Sequence, residues 1–336
     1  MKKDMNILIT GGAGFIGTHV VDYFATNYPE YQITVMDSLT YAANLEYYND
    51  LAEGKYPNIK VYHGDIRSPV ECRFIMTADK IDAVIHLAAE SHVDNSIDTP
   101  NIFAETNVIG TLNLLNAAKE YWEKRGYIED NVFYQISTDE VYGHLGKYDD
   151  PFKETTPYDP RSPYSASKAS ADHFVRAYAN TFKLPVLISN CSNNYGERQH
   201  KEKLIPKTIT NLLTGKKIPV YEKGENVRDW LYVGDHADAI ASVFHLGKAG
   251  ETYNIGGGNE WMNIEIVMAL VDIYCEDHGL ESNYGKYIDF VEDRKGHDFR
   301  YAINYSKATK ELGWKPKMKM EDGLMRTYIY YKNLIK

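Results

Sequence analysis

Met5-Asn6-Ile7-Leu8-Ile9-Thr10 runs directly into Gly11-Gly12-Ala13-Gly14-Phe15-Ile16-Gly17, and that junction decides the fold. The first six residues read as a buried strand, and an amphipathic helix continues past Gly17 through residue 24. The glycines satisfy both Gly-x-Gly-x-x-Gly, at 12, 14 and 17, and Gly-x-x-Gly-x-x-Gly, at 11, 14 and 17. Strand, glycine turn and helix make a phosphate cradle, because glycines let the backbone approach an anion that the helix N-terminus faces. Alone, such a pattern is also met by an ordinary turn. Here a second strand, Ile33-Thr34-Val35-Met36, ends in Asp37, where a carboxylate accepts from the 2′-hydroxyl of an adenosine ribose. A 2′-phosphate would meet that negative charge, so the two signals together predict NAD rather than NADP.

Further strands follow at βα spacing. Ile59-Lys60-Val61-Tyr62 leads to Asp65-Ile66, and Asp82-Ala83-Val84-Ile85-His86-Leu87 leads to Ala88-Ala89-Glu90-Ser91. One long helix is expected from about residue 103 to 124, with apolar surface for the core or for a subunit interface. Val132-Phe133-Tyr134-Gln135-Ile136 and Pro185-Val186-Leu187-Ile188 add two strands. The alternation implies an α/β fold, a doubly wound parallel Rossmann sheet with a smaller discontinuous C-terminal substrate domain. The pattern changes after Gly196, then gives a sheet-covering helix from Asp235 and a late strand ending at Ile255. The expected division is 1–192 with 229–256 for the dinucleotide, and 193–228 with 257–336 for the substrate.

Bulk properties exclude several classes. The 336 residues carry a formal net charge of −10, which argues against a nucleic-acid binder and requires a local positive pocket for any anionic substrate. No apolar run is long enough for a bilayer, and the early first strand leaves no room for a signal peptide. Cys72, Cys191 and Cys275 show no paired spacing, which fits a reduced, cytoplasmic protein, and the scattered histidines predict no metal.

Chemistry concentrates in Ser137-Thr138-Asp139-Glu140-Val141-Tyr142-Gly143, directly after a strand, and in Tyr164-Ser165-Ala166-Ser167-Lys168. Tyr and Lys at i and i+4 share one helix face. An Asp-Glu pair alone is more often a solvated turn, and Tyr-x-x-x-Lys alone an ordinary helix. Placed after a nucleotide cradle and at a strand's C-terminal end, they point to acid–base chemistry on a small molecule.

The glycine pattern, Ser137 and Tyr164-x-x-x-Lys168 resemble the extended short-chain dehydrogenase/reductases over essentially the whole chain. Thr138-Asp139-Glu140, Asn193-Asn194-Tyr195-Gly196 and Asp293-Arg294-x-Gly296-His297 narrow the resemblance to the dTDP-glucose 4,6-dehydratase family. The resemblance implies tightly bound NAD, contacted by Gly11, Gly14, Phe15, Ile16, Gly17, Asp37, Ser38, Leu39, Thr40, Asp65, Ile66, Leu87, Ala88, Ala89, Ser91, Thr106, Tyr164, Lys168 and Asn194. It implies a nucleotide-sugar substrate held by Ser91, Thr138, Asn193, Lys203, Leu204, Pro219, Tyr221, Arg228, Asn263, Asp293, Arg294 and His297, in a homodimer. The cations Lys203, Arg228 and Arg294 suit a diphosphate. Three positions depart from the family pattern: Ser38 and Lys295 stand where Lys and Pro are common, and Glu197 follows Asn-Tyr-Gly in place of Pro.

The implied catalytic set is Thr138, Asp139, Glu140, Tyr164 and Lys168. Tyr164, aided by Lys168 and the cofactor's positive ring, removes the sugar C4 hydroxyl proton during oxidation. Glu140 then takes the C5 proton, which the new ketone acidifies, and a protonated Asp139 donates to the departing C6 hydroxyl. Opposed roles for adjacent carboxyls require separated pKa values. A nucleotide-sugar 4-epimerase shares Tyr164 and Lys168 but has no use for the acid pair. A non-catalytic NAD-binding protein needs only the cradle.

Overall fold

The computed structural model describes residues 4–126, 131–293 and 298–335. In chain order the strands are β1 (Asn6–Thr10), β2 (Gln32–Asp37), β3 (Ile59–His63), β4 (Ala83–His86), β5 (Val132–Thr138), β6 (Val186–Cys191), β7 (Asn193–Tyr195), β8 (Ile218–Tyr221), β9 (Val227–Tyr232), β10 (Thr252–Ile255), β11 (Glu260–Met262) and β12 (Ile288–Val291). Among the described residues, seven of them form one sheet in the order β3-β2-β1-β4-β5-β6-β10, and every neighbouring pair is parallel. The expected doubly wound α/β fold is therefore present. The strand order reverses between β1 and β4, which opens a crevice at the C-terminal strand ends.

The central strands are apolar because both sheet faces are covered. Every residue of β4, β5 and β6 is buried. Period-two alternation sorts β1 between two cores: Ile7 and Ile9 pack with Phe24 and Phe244, and Leu8 with Leu114 and Trp122. A further core, built from Ile205, Ile209, Trp230, Leu270 and Leu324 among others, belongs to the part of the chain beyond β6. There β9 pairs antiparallel to β11 and parallel to β7, and β12 pairs parallel to β8.

The long helix expected over 103–124 differs from expectation. An α-helical turn, Pro100–Phe103, passes into a π-helical segment, Ala104–Gly110, and then into the α-helix Thr111–Arg125. The wider π turn is supported at its C-terminal end. The Thr111 hydroxyl donates to the Asn107 carbonyl at 2.7 Å. At Gly110 a Cβ would come within 2.6 Å of Ile66, so only glycine lets this turn press against the cavity wall. The sequence does not announce such a change, because i→i+5 bonding is rare and depends on local contacts that apolar periodicity does not report.

Candidate active site

A cavity of about 850 Å³ lies along the C-terminal ends of the sheet strands. The glycine turn forms its floor. Gly11 has φ +71°, and a Cβ there would sit 2.7 Å from the Ala88 nitrogen; one on Gly17 would sit 2.0 Å from the Gly11 carbonyl oxygen. The helix Phe15–Asn27 has no side-chain cap and no acid in its first turn, so its N-terminal dipole is left for an anion. At the end of β2, Asp37 accepts from the Ala13 N–H at 2.9 Å and the Leu39 N–H at 2.8 Å. Burial raises its pKa and those N–H groups oppose the rise. A cradle without Cβ atoms, an open helix N-terminus and a fixed carboxylate are the donor and acceptor set that NAD needs.

Chemistry sits two strands over from β1, at the end of β5. The helix Pro163–Phe182 opens with a capping box in which Ser162 and Ser165 satisfy each other's termini, and Pro163 occupies its first turn. This start fixes Tyr164 at the helix mouth and Lys168 one turn deeper. The buried Lys168 Nζ donates to the Ile136 carbonyl at 2.7 Å. Burial lowers its pKa, and the charge of Asp172 opposes that. Ser137 and Thr138 both line the cavity, but the Ser137 hydroxyl is committed to Asp172, to which it donates at 2.6 Å, which leaves the Thr138 hydroxyl for the site.

The two adjacent carboxyls have different surroundings. Asp139 is 1% exposed, and its Oδ2 has no partner. Burial, followed by the charges of Glu140 and Asp229, pushes its pKa well above the usual carboxylate range. Its surroundings thus favour the neutral acid, while Glu140 is partly exposed at the cavity wall. The phenol of Tyr164 is also pushed up, first by burial and then by Glu140, with a hydrogen bond to Thr138 opposing. The resting phenol is therefore protonated, and the protein alone does not supply the positive charge that deprotonation asks for.

Opposite lies a cationic end. Arg228 is 5% exposed, donates to the Val227 and Asp298 carbonyls at 2.7 and 3.0 Å, and lies 4.4 Å from the centre of the Tyr301 ring. Lys203 precedes the helix Leu204–Leu213 and donates to the Ser91 carbonyl at 3.3 Å.

All residues expected at the cofactor line the cavity except Leu39, whose φ of +52° places its N–H on Asp37 instead. Thr138, Asp139, Glu140, Tyr164 and Lys168 all line it. So do the residues expected at the substrate, apart from Asp293, which is not on the wall, and Arg294 and His297, which lie outside the described residues. Sequence reading missed Tyr301, Trp230, Lys207 and Glu202 on the wall. Lys207 had a signal, one helical turn after Lys203; Tyr301 and Trp230 look like core aromatics in the sequence.

The profile of the GDP-mannose 4,6 dehydratase family matches residues 8–327. The dTDP-glucose 4,6-dehydratase of Salmonella typhimurium is 49% identical over 97% of this chain and 92% of its own length. The chain belongs to the dTDP-glucose 4,6-dehydratase family. Among solved structures, the family's DesIV from Streptomyces venezuelae, with NAD bound, superposes with a TM-score of 0.88 at 42% identity, covering 98% of this chain and 97% of that one. The dTDP-glucose 4,6-dehydratase of Bacillus anthracis in complex with NAD gives 0.84 at 44% identity, covering 98% and 97%.

Of the departures from the family pattern, Ser38 lines the cavity and Lys295 lies outside the described residues. Glu197 accepts from the Tyr232 hydroxyl at 2.8 Å and from Arg326 on the last helix. Side-chain bonds therefore hold the turn that the ring of a proline would otherwise stiffen. No helix among the described residues is long and apolar enough to cross a membrane.

Proposed function

We propose that this chain converts dTDP-glucose to dTDP-4-keto-6-deoxyglucose and water. The observation that carries the reading is the carboxyl pair on the wall shared with Tyr164: a buried, neutral Asp139 beside a more accessible Glu140. NAD, when bound, supplies a hydride acceptor that is restored by the end of each turnover. Gly11, Gly14, Gly17 and Asp37 would hold its adenosine half, and Tyr164 and Lys168 would face its reactive end. Tyr164 takes the C4 hydroxyl proton as its phenolate, a form that Lys168 and the positive ring of bound NAD would favour over the protonated resting phenol, with Thr138 donating to the same C4 oxygen. Once C4 is a ketone, Glu140 removes the C5 proton and Asp139 gives its proton to the C6 hydroxyl, which leaves as water. Glu140 afterwards returns a proton to C5, and the hydride taken from C4, which the bound cofactor would give back at C6, completes the 6-deoxy product. Arg228 and Lys203 offset the substrate's diphosphate, a local positive end against the overall charge of −10.

An epimerase needs no acid at C6, so the pair weighs against it. Mass spectrometry of the product decides between them: dehydration leaves it one water lighter, whereas a product of unchanged mass would refute the reading. We also propose the division into 1–192 with 229–256 and 193–228 with 257–336, supported by the part of the further core that Ile205, Ile209, Leu270 and Leu324 build, to which Trp230 adds from the first unit. A homodimer is supported by Ile109, Phe174 and Phe182, which stay 49%, 38% and 40% exposed on the Tyr164 helix and the helix before β5. A cytoplasmic location is supported by three buried, unpaired cysteines.

A further inference from the structure

A buried chain of hydrogen bonds runs behind the cavity without touching it. Thr10, His86, Asn107 and Thr111 are each no more than 2% exposed, and none of them lines the cavity. The Thr111 hydroxyl has one proton and gives it to the Asn107 carbonyl at 2.7 Å. His86 Nε2, 2.9 Å from that hydroxyl, must therefore be the donor. In a neutral imidazole the other nitrogen then accepts, so Thr10 donates to Nδ1 at 2.7 Å. The Thr10 oxygen in turn accepts the Ala88 N–H at 3.3 Å. Every proton has one place, and only one tautomer of His86 fits. Burial and the positive charge of Lys168 push the imidazole pKa down to about 3, so the chain persists across the working pH range.

The chain's ends carry its meaning. One end is Ala88, in the segment 87–91 that lines the cavity after β4. The other is the π turn, which carries Thr106 to the cavity wall as well. The Asn107 side chain makes a second tie between them: it accepts from the Glu90 N–H at 2.8 Å and donates to the Glu90 carbonyl at 3.0 Å and to Ser167 at 2.8 Å. Ser167 donates to the Tyr164 carbonyl at 2.7 Å, so the catalytic helix is held in the same frame.

We propose that His86, with Thr10 and Thr111, is a positioning residue that sets the spacing between the Ala88 wall and the π turn and thereby the grip on the cofactor. The proposal rests on the reading that the cavity takes NAD. Thr111→Val keeps shape and removes the link between His86 and the Asn107 carbonyl; Thr111→Ser restores it. The measurement is the rate at which NAD leaves the holoenzyme, followed by exchange with labelled NAD, alongside the dissociation constant of dTDP. The expected result is NAD release at least about ten-fold faster in Thr111→Val, wild-type release in Thr111→Ser, and unchanged dTDP binding in both. One lost buried hydrogen bond of ~1.4 kcal/mol corresponds to that factor. His86→Leu combined with Thr111→Val should release NAD no faster than the quicker single variant, because both cut one chain. If His86→Leu does not fold, the valine–serine pair carries the test alone. Equal NAD release in Thr111→Val and wild type, or an equal loosening of NAD and dTDP, overturns the proposal. A wild-type protein that takes up no NAD overturns the functional reading itself.

Discussion

Asp139→Asn separates the acid from the base in the proposed elimination. The side chain is 1% exposed, and burial and the neighbouring charges of Glu140 and Asp229 raise its pKa well above the usual range, which favours the protonated carboxyl that the proposed acid role requires. Asparagine keeps the shape and the neutrality but has no transferable proton. General acid catalysis contributes roughly 10²–10⁴-fold. Because so little of Asp139 meets solvent, water is a poor substitute, and the loss should fall in the upper half of that range, about 4–5 kcal/mol of barrier. Exchange of the C5 hydrogen with solvent deuterium should continue, since Glu140 is intact, and should outrun water loss. Stability should move oppositely to activity. A carboxyl whose folded pKa is raised stabilises the fold fully below its unfolded pKa of about 3.9, and that contribution fades as pH rises through the folded value. Asparagine does not titrate, so the variant should melt no lower than wild type at pH 7, and the margin should narrow toward pH 4. The assay is rapid-quench mass spectrometry in deuterated water with melting curves across that window. Water loss at the wild-type rate would refute Asp139 as the acid, and a variant destabilised at pH 7 would refute its being buried and neutral.

Glu140→Gln should leave C4 oxidation intact and accumulate a species two hydrogens lighter than substrate, with C5 exchange slowed by about 10²–10⁴-fold; fast C5 exchange would remove Glu140 from its role. Tyr164→Phe should slow oxidation and overall turnover together by a similar factor while dTDP binding holds, measured by single-turnover kinetics and calorimetry. Gly17→Ala should expel NAD and lower stability by about 1–3 kcal/mol, because the new methyl falls 2.0 Å from the Gly11 carbonyl and the helix must shift; NAD content and melting temperature check both. Asp37→Asn should weaken NAD and narrow its preference over NADP by roughly 10–100-fold, the worth of a charge-assisted hydrogen bond, read by competitive binding.

Most of the fold was legible because it is written in apolar runs that both sheet faces require. Val132 to Ile136 and Ile7 to Ile9 read as strands because each is a short apolar run that ends in a polar or glycine-rich turn. The cofactor wall was legible for the same reason, since glycines and Asp37 sit at fixed offsets from strand ends. The π turn was not, because its cause lies in Thr111 bonding backward and Gly110 meeting Ile66, contacts invisible to periodicity. Ser137 and Thr138 were separable only in three dimensions: one hydroxyl is committed to Asp172 and the other is left for the site. Tyr301 reached the site through long-range packing beneath Arg228, which no local pattern announces.

The position of β10 beside β6 bears on how the chain is made. When β6 leaves the ribosome its inner neighbour β5 is already available, but the strand that covers its outer edge begins about 60 residues later. At synthesis rates of about 5–20 residues per second, a strand buried along its whole length in the finished protein presents an unpaired edge for roughly 3–12 s. That interval is when the nascent chain most readily pairs with a neighbour of its own kind. In chain order β10 lies between the two stretches that complete the cavity, so β6 loses its open edge before Asn263, Val291 and Tyr301 have been made to finish the wall.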